Sequence, residues 1–432
     1  MTAPARARPP GDLEPFAGRW LPPEWPLVFM LAGYPVWWFL GAGALIWPLF
    51  SLPMLGRLIL RRRTVRVPRG FGWWLLFLVW MLVSVIQLQG DAPLPFLWRA
   101  GNYFSATITF VYVYNAPRDR LPARRIVELL AGFWLVTVAG GWLGVLQPHG
   151  EITSVVERLL PTDFAQLEFV QILVHPIFAQ VQDFLGYPLG RPTAPFLYTN
   201  DWGGVYALTI PFFILGWLQS RKASRRSAAL LILAISLVPA FLSLNRGLWV
   251  SLLVALAYGA TRPGDIGRLA RRSLLAILLV GIALIAFTPL KAVVEGRAEH
   301  QHSNAGREFL YVETVKEVMK SPVIGYGGPR PYGGPKLIPH LGTQGQFWLV
   351  LFSHGIVGAF FFVMFLIRLI RATRHGPLVT FWCHVTLTIA MVQIFVYDMV
   401  PVQLHLIFIV AALGIREAEA AQRPDPTLAA AA

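Results

Sequence analysis

The sequence predicts an all-α integral membrane protein with about twelve transmembrane helices, both termini cytoplasmic, and two long extracytoplasmic loops carrying amphipathic helices. Three observations lead there. Hydrophobic residues make up 56% of the 432-residue chain and charged residues only 14%, with a mean hydropathy of +0.56, a balance that ordinary soluble globules do not show. The apolar residues gather in runs close to the ~20 residues that cross a bilayer core. The net charge of +15 sits mostly in short basic loops between those runs, as the positive-inside rule expects of cytoplasmic loops. In a soluble chain such a charge would point to nucleic acid; distributed this way, it makes nucleic acid an unexpected partner.

Each element follows in order. Leu27 to Leu60 is longer than one span needs and is divided at Gly41 to Gly43, so two short helices are expected. Beyond the basic loop Arg61 to Arg69, a third covers Phe71 to about Leu88. A fourth runs from about Tyr103 to Asn115, after an outer loop holding Asp91 and Arg99. Arg118, Arg120, Arg124 and Arg125 return the chain to the inside, and Ile126 to Leu146 is the fifth. Residues 148–195 form the first outer loop. There Ile152, Val155, Val156, Leu159 and Leu160, then Phe164, Leu167, Val170, Val174 and Phe178, make amphipathic sets suited to the membrane interface. Phe196 to Leu218 is the sixth span, and Ala228 to Tyr258, interrupted by Asn245-Arg246-Gly247, supplies the seventh and eighth. Ser273 to Phe287 is the ninth, residues 288–346 the second outer loop, and Phe347 to Ile367 the tenth. Leu378 to Val396 and Gln403 to Ile415 complete the set. Residues 1–26 and 416–432 read as cytoplasmic tails around a single polytopic domain, 27–415. All the strongly basic short loops then share one side and both long loops the other. The Pro-rich start lacks an apolar run with a small-residue cleavage site, so no removed signal peptide is expected. One cysteine, Cys383, rules out an internal disulfide and reads as a packing residue. Trp37, Trp38, Trp73, Trp74 and Trp348 read mostly as an interfacial belt, with Trp348 also placed to pack a sugar ring.

Polar, charged and Gly/Pro residues concentrate between two apolar blocks from Gly306 to Gly358. Arg307 to Lys320 reads as a helix with Val312, Val315 and Met319 on one face and Glu313, Lys316, Glu317 and Lys320 on another. Arg307 lies almost opposite Lys316. Pro322 and the run Gly325 to Pro335 end the helix in a loop able to approach a ligand through its backbone. On the expected topology Arg191, Arg246 and Arg307 all reach the outer side. Arginine at membrane depth is costly and wants an anion; several guanidinium groups together suit a pyrophosphate, the competing reading being snorkelling or structural ion pairs. His340 and Gln344 end the second loop, and His354 follows near Gly355. A neutral imidazole there is a candidate base for an acceptor hydroxyl, or simply a structural histidine. Glu299-His300-Gln301-His302 lacks further matched ligands and reads as solvated. No Asp-x-Asp pair occurs, so neither metal nor cofactor is expected.

At these residues the chain resembles the O-antigen ligase family of polytopic membrane enzymes, which includes the related O-antigen polymerases. RPTAPFLYTNDWGGVYALTIPFF, SLNRGLWVSLLVAL, and REFLYVETVKEVMKSPVIGYG followed by FSHGIVG carry the resemblance, over roughly Arg191 to Gly358. It implies a GT-C-like glycosyltransferase in a bacterial cytoplasmic membrane. Such an enzyme moves a glycan from a polyprenyl-pyrophosphate donor to a glycan or lipid-glycan acceptor outside, without metal and most simply with inversion. It implies that Arg246 and Arg307, with Arg191, hold the donor pyrophosphate and that a histidine assists the acceptor. The histidine's place, counted back from Gly355, is held by Gln344, with His340 one turn earlier; Asn245 stands where the family commonly has serine. A polymerase joining lipid-linked units and a lipid-linked glycan transporter remain the alternatives, although a transporter would be expected to show an internal repeat and mid-membrane charges.

Overall fold

The computed structural model describes residues 22–89, 93–183, 188–287, 302–330 and 340–422, with side chains described except at 183, 280–287 and 302–307. It is mostly helical. Two short helices, α1 (Trp25–Leu31) and α2 (Tyr34–Phe39), lead into α3 (Ile46–Leu60), α4 (Gly72–Val83), α5 (Pro93–Asn115) and α6 (Ala123–Leu146). The first long loop folds into α7 (Val155–Leu159), α8 (Thr162–Ala165), α9 (Glu168–Val174) and an antiparallel hairpin of β1 (Ala179–Asp183) and β2 (Pro188–Pro192). Then come α10 (Thr199–Phe213), α11 (Ala223–Leu242), α12 (Arg246–Ala260), α13 (Gly264–Phe287), α14 (His302–Val318), α15 (Gln346–Ala372), α16 (Leu378–Gln393) and α17 (Val402–Gln422). Among the described residues, four helical stretches are long and apolar enough to cross a membrane: Ala123–Leu146, Thr199–Leu218, Ala223–Leu242 and Gln346–Ala372. Shorter apolar helices cover Ile46–Leu60, Gly72–Gln87, Arg246–Ala260 and Leu378–Gln393.

The core is built around α17, whose side chains are buried without interruption from Val402 to Ala418. A helix apolar on every side needs neighbours on every side, and α5 and α16 supply the most extensive packing. Phe408 meets Trp74, Phe110 and Phe365 at ring-centroid distances of 4.8, 5.7 and 5.6 Å. Trp74 is therefore a fully buried core residue, not a member of an interfacial belt. The helix also runs past Ile415, where a tail was expected to begin. Glu417, 4% exposed, holds it there, 2.5 Å from Nη2 of Arg118 and 3.1 Å from Nη2 of Arg416.

Three further departures from the expected boundaries have local causes. The first apolar stretch breaks at Gly33 as well as at Gly41, and the break at Gly33 suits glycine, since a Cβ there would lie 2.6 Å from the Phe29 carbonyl oxygen. At ~1.5 Å per residue, α1 and α2 are each only about 10 Å long, so neither crosses a bilayer core alone and the first expected span needs both in series. Helix α5 begins at Pro93, which puts Arg99 on a helix rather than in a loop. Helix α15 kinks at Gly355 (φ 68°) because the strand of chain after α14 inserts into its hydrogen-bond ladder. The amides of Tyr326 and Gly327 donate to the Phe352 and Ser353 carbonyls at 3.0 and 2.7 Å, while the Ile356 amide turns to Pro322 at 2.7 Å. Glycine is needed on both sides: a Cβ at Gly325 would lie 2.5 Å from the Gly355 nitrogen, and one at Gly355 2.4 Å from the Val323 oxygen.

Candidate functional site

The site is assembled from loop ends that meet at one end of the bundle. Arg191, the partner of Gln180 across the hairpin, is 9% exposed. Its Nε donates to the Ser243 carbonyl at 2.7 Å and its Nη1 to Gln182 Oε1 at 2.9 Å. Ser243 belongs to the break between α11 and α12, where Leu244 takes a left-handed φ of 49° and Asn245 caps α12 by accepting from the Leu248 amide at 3.3 Å. Asn245 Nδ2 donates to the Thr199 carbonyl at 3.1 Å, and Thr199 Oγ1 to the Arg191 carbonyl at 3.2 Å. The segments RPTAPFLYTND and SLNRG are thus clasped together.

Tyr397 extends the clasp to α15. Its hydroxyl donates to Asn245 Oδ1 and packs where a Cβ at Gly247 would sit, 2.3 Å away. Its carbonyl accepts from the Gln346 amide at 2.7 Å. Gln346 in turn donates to Tyr103 Oη at 2.7 Å and accepts from the Met399 amide at 3.1 Å. Gln344, half-buried, lies two residues before this anchor, with Nε2 3.4 Å from Thr343 Oγ1. His340 is exposed, and its carbonyl accepts from Thr343 Oγ1 at 2.7 Å.

Arg246, expected to be buried in its motif, is exposed as the first residue of α12. The Arg307 backbone is on α14, and its side chain lies outside the described residues. One turn further along α14, Tyr311 stacks on Trp348 at 4.6 Å, which ties this part of α14 to the start of α15. Tyr311 and a bond from Trp348 Nε1 to the Phe395 carbonyl at 3.1 Å occupy the indole that the sequence offered to a sugar. His354 is buried with Nδ1 2.7 Å from Ser84 Oγ, a link between helices. The Glu299 to His302 side chains are outside the described set.

Sequence reading passed over Asp398, Arg99 and Tyr198. Asp398, half-buried in the turn between α16 and α17, has its carboxyl raised by desolvation, with the positive charge of Arg99 acting against the shift. Desolvation and then the carboxylates of Asp201 and Asp398 push the Tyr198 hydroxyl up to about 12. The available signal was a lone aspartate between two apolar runs, three residues before Pro401. Nearby, an apolar cavity of about 270 Å³ is lined by Leu45, Leu94, Trp98, Val156, Phe164 and Val170, among others. The end of the bundle thus offers an exposed guanidinium at a helix N-terminus, a half-buried carboxyl, an amide-lined loop and a space for an alkyl chain. No protein-family model matches the sequence, and no curated protein matches it.

Proposed function

We propose that this protein is a membrane-embedded glycosyltransferase of the O-antigen ligase type, moving a glycan from a polyprenyl-pyrophosphate donor to a cell-envelope acceptor. The observation that carries this reading is the hydrogen-bonded clasp from Arg191 through Asn245 and Tyr397 to Gln346, because it gathers segments far apart in sequence around Arg246. That guanidinium and the positive end of the α12 dipole favour the same thing, an anion. In this reading Arg246 and Arg307 take the donor pyrophosphate, and Arg191 buttresses the loop that presents Arg246. The apolar cavity beside Trp98 takes part of the isoprenoid chain.

Charge grows on the leaving pyrophosphate as the glycosidic bond breaks, so cations fixed there act most strongly in the transition state. The acceptor hydroxyl is oriented by Gln344 or His340, with Asp398 as a carboxylate able to take its proton. The twelve-span topology, with the site outside a bacterial cytoplasmic membrane, belongs to the same proposal.

The test is transfer by purified protein in detergent, given a polyprenyl-pyrophosphate-linked glycan and either a terminal acceptor or a second lipid-linked unit. Product size separates ligase from polymerase, and turnover without a second compartment separates both from a transporter. Arg246→Ala and Arg307→Ala should each abolish transfer while the protein stays folded; transfer retained in both variants would sink the reading.

A further inference from the structure

A second cavity, of about 290 Å³, opens between α2, the turn leading to α3, α9 and the start of α10. Its wall includes Tyr34, Trp38, Gln171, Gln180, Phe196 and Tyr198. At ~30 Å³ per water it holds on the order of ten waters, the bulk of one hexose ring. It adjoins the clasp: Gln180 pairs with Arg191 across the hairpin, and its Oε1 accepts from the Thr199 amide at 3.0 Å.

Two side chains in this wall are unusual. Tyr34 is 2% exposed and Trp38 5%, yet among the described residues neither the Tyr34 hydroxyl nor the Trp38 indole nitrogen has a hydrogen-bond partner. Both differ from the indole nitrogens of Trp47 and Trp134, which are enclosed without a partner; the open space that Tyr34 and Trp38 border is the cavity. Both donors open on the cavity and are hydrated when it holds water, so a ligand that displaces the water must offer them acceptors or lose those bonds.

The remaining groups define its chemistry. Gln180, with Oε1 engaged by Thr199, has its amide nitrogen left as a donor. Gln171 spends Nε2 on Glu157 and Ala165, leaving Oε1 as an acceptor. Among the described residues no lysine or arginine lines the cavity, and its histidine, His175, is held by Glu157 and Glu151, so nothing there is left to counter a phosphate. An alkyl chain would strand the two buried donors. Neutral donors and acceptors alternating with aromatic faces suit a polyol ring, whose hydroxyls pair with the amides and whose C–H faces lie on the rings.

We infer that this cavity is a subsite for one neutral pyranose ring of a glycan substrate. The inference rests on the glycosyltransferase reading for its substrate class, but its test does not require transfer. Full-length protein in a detergent that is not itself a glycoside is titrated with methyl glycosides of glucose, galactose and N-acetylglucosamine, and saturation transfer to the ring protons is measured. At least one glycoside should bind, and Tyr34→Phe should weaken it about 5–10-fold, the loss of one buried hydrogen bond. Gln180→Glu keeps an oxygen for the Thr199 amide, removes the donor, and should weaken binding similarly. Unchanged thermal unfolding in both variants checks that the fold persists.

The polyprenyl-pyrophosphate-linked glycan identifies the source: displacement of the glycoside by it, and not by sugar-free polyprenyl pyrophosphate, assigns the ring to the donor, and independence assigns it to the acceptor. No saturation transfer to any glycoside, or binding equally strong in both variants, overturns the inference. Glycoside binding that depends on Tyr34 in a protein that never transfers would leave the subsite standing and remove the enzyme.

Discussion

Arg191 Nε donates to the Ser243 carbonyl at 2.7 Å across 52 residues of sequence, and the residue this contact positions is Arg246, three places further on. The two arginines therefore divide their labour. One is sequestered and load-sharing within the protein, the other faces outward.

Arg191→Ala strands the Ser243 carbonyl and Gln182 Oε1 and should lower unfolding stability by ~1–3 kcal/mol. Arg246→Ala should cost less than this, because Arg246 is exposed and a cation at a helix N-terminus opposes the dipole. Thermal unfolding of both variants in one detergent checks the split. Equal loss in the two would show that Arg246 also supports the fold.

The glycine pair at the kink makes a second expectation. Gly355→Ala meets the Val323 oxygen at 2.4 Å and forces alanine to a φ of 68°, so it should cost at least ~1–2 kcal/mol from the left-handed backbone alone. Gly325→Ala attacks the same approach from the other side. The double variant should cost less than the two single losses added together, since both break one contact. Chemical or thermal unfolding of the three variants measures this.

Much of this was legible beforehand, and the failures are instructive. Apolar runs located helices because burial or lipid contact demands them along whole segments, and the polar run Asn245-Arg246-Gly247 marked the break between α11 and α12. The α15 kink was not readable, since it depends on a distant segment supplying amides to Phe352 and Ser353. The β1–β2 hairpin escaped because Pro188 and Gly190 read as loop residues. Trp74 was misassigned because composition alone does not say whether an aromatic at a helix end faces lipid or Phe408. Arg246 was expected buried because its neighbours in sequence are apolar, while the helix start turns it outward. Asp398 was invisible as a candidate because its environment comes from Arg99, far away along the chain.

At the other end of the bundle, Glu417 sits between Arg416 and Arg118. Glu417→Ala leaves Arg416, 7% exposed, without its counter-charge and should cost ~3–5 kcal/mol. Replacing both partners, as in Arg416→Met with Glu417→Leu, should cost less than the single change. Unfolding midpoints for the two variants decide it.

The loop from α7 to α9 should respond to acid. Glu157 caps α7 through Ser154 and holds His175 Nδ1 at 2.8 Å and Gln171 Nε2 at 3.2 Å. Burial alone would raise its carboxyl, but the bonds from His175, Gln171 and Ser154 bring it below its ordinary value of 4.5. A depressed folded value means that its stabilisation is complete above the ordinary value and is lost as pH falls through the folded one. Amide protection over α7 to α9, taken relative to the intrinsic exchange rate at each pH, should therefore fall in acid below about pH 4. In Glu157→Gln it should already be low at neutral pH and change little on acidification.

The unbroken burial of α17 sets an order of events during synthesis. It leaves the ribosome after every other described element, yet its neighbours wrap it on all sides. Helices made earlier cannot complete their packing until Val402 to Ala418 arrives. The finished arrangement is closed from within by its late-coming axis.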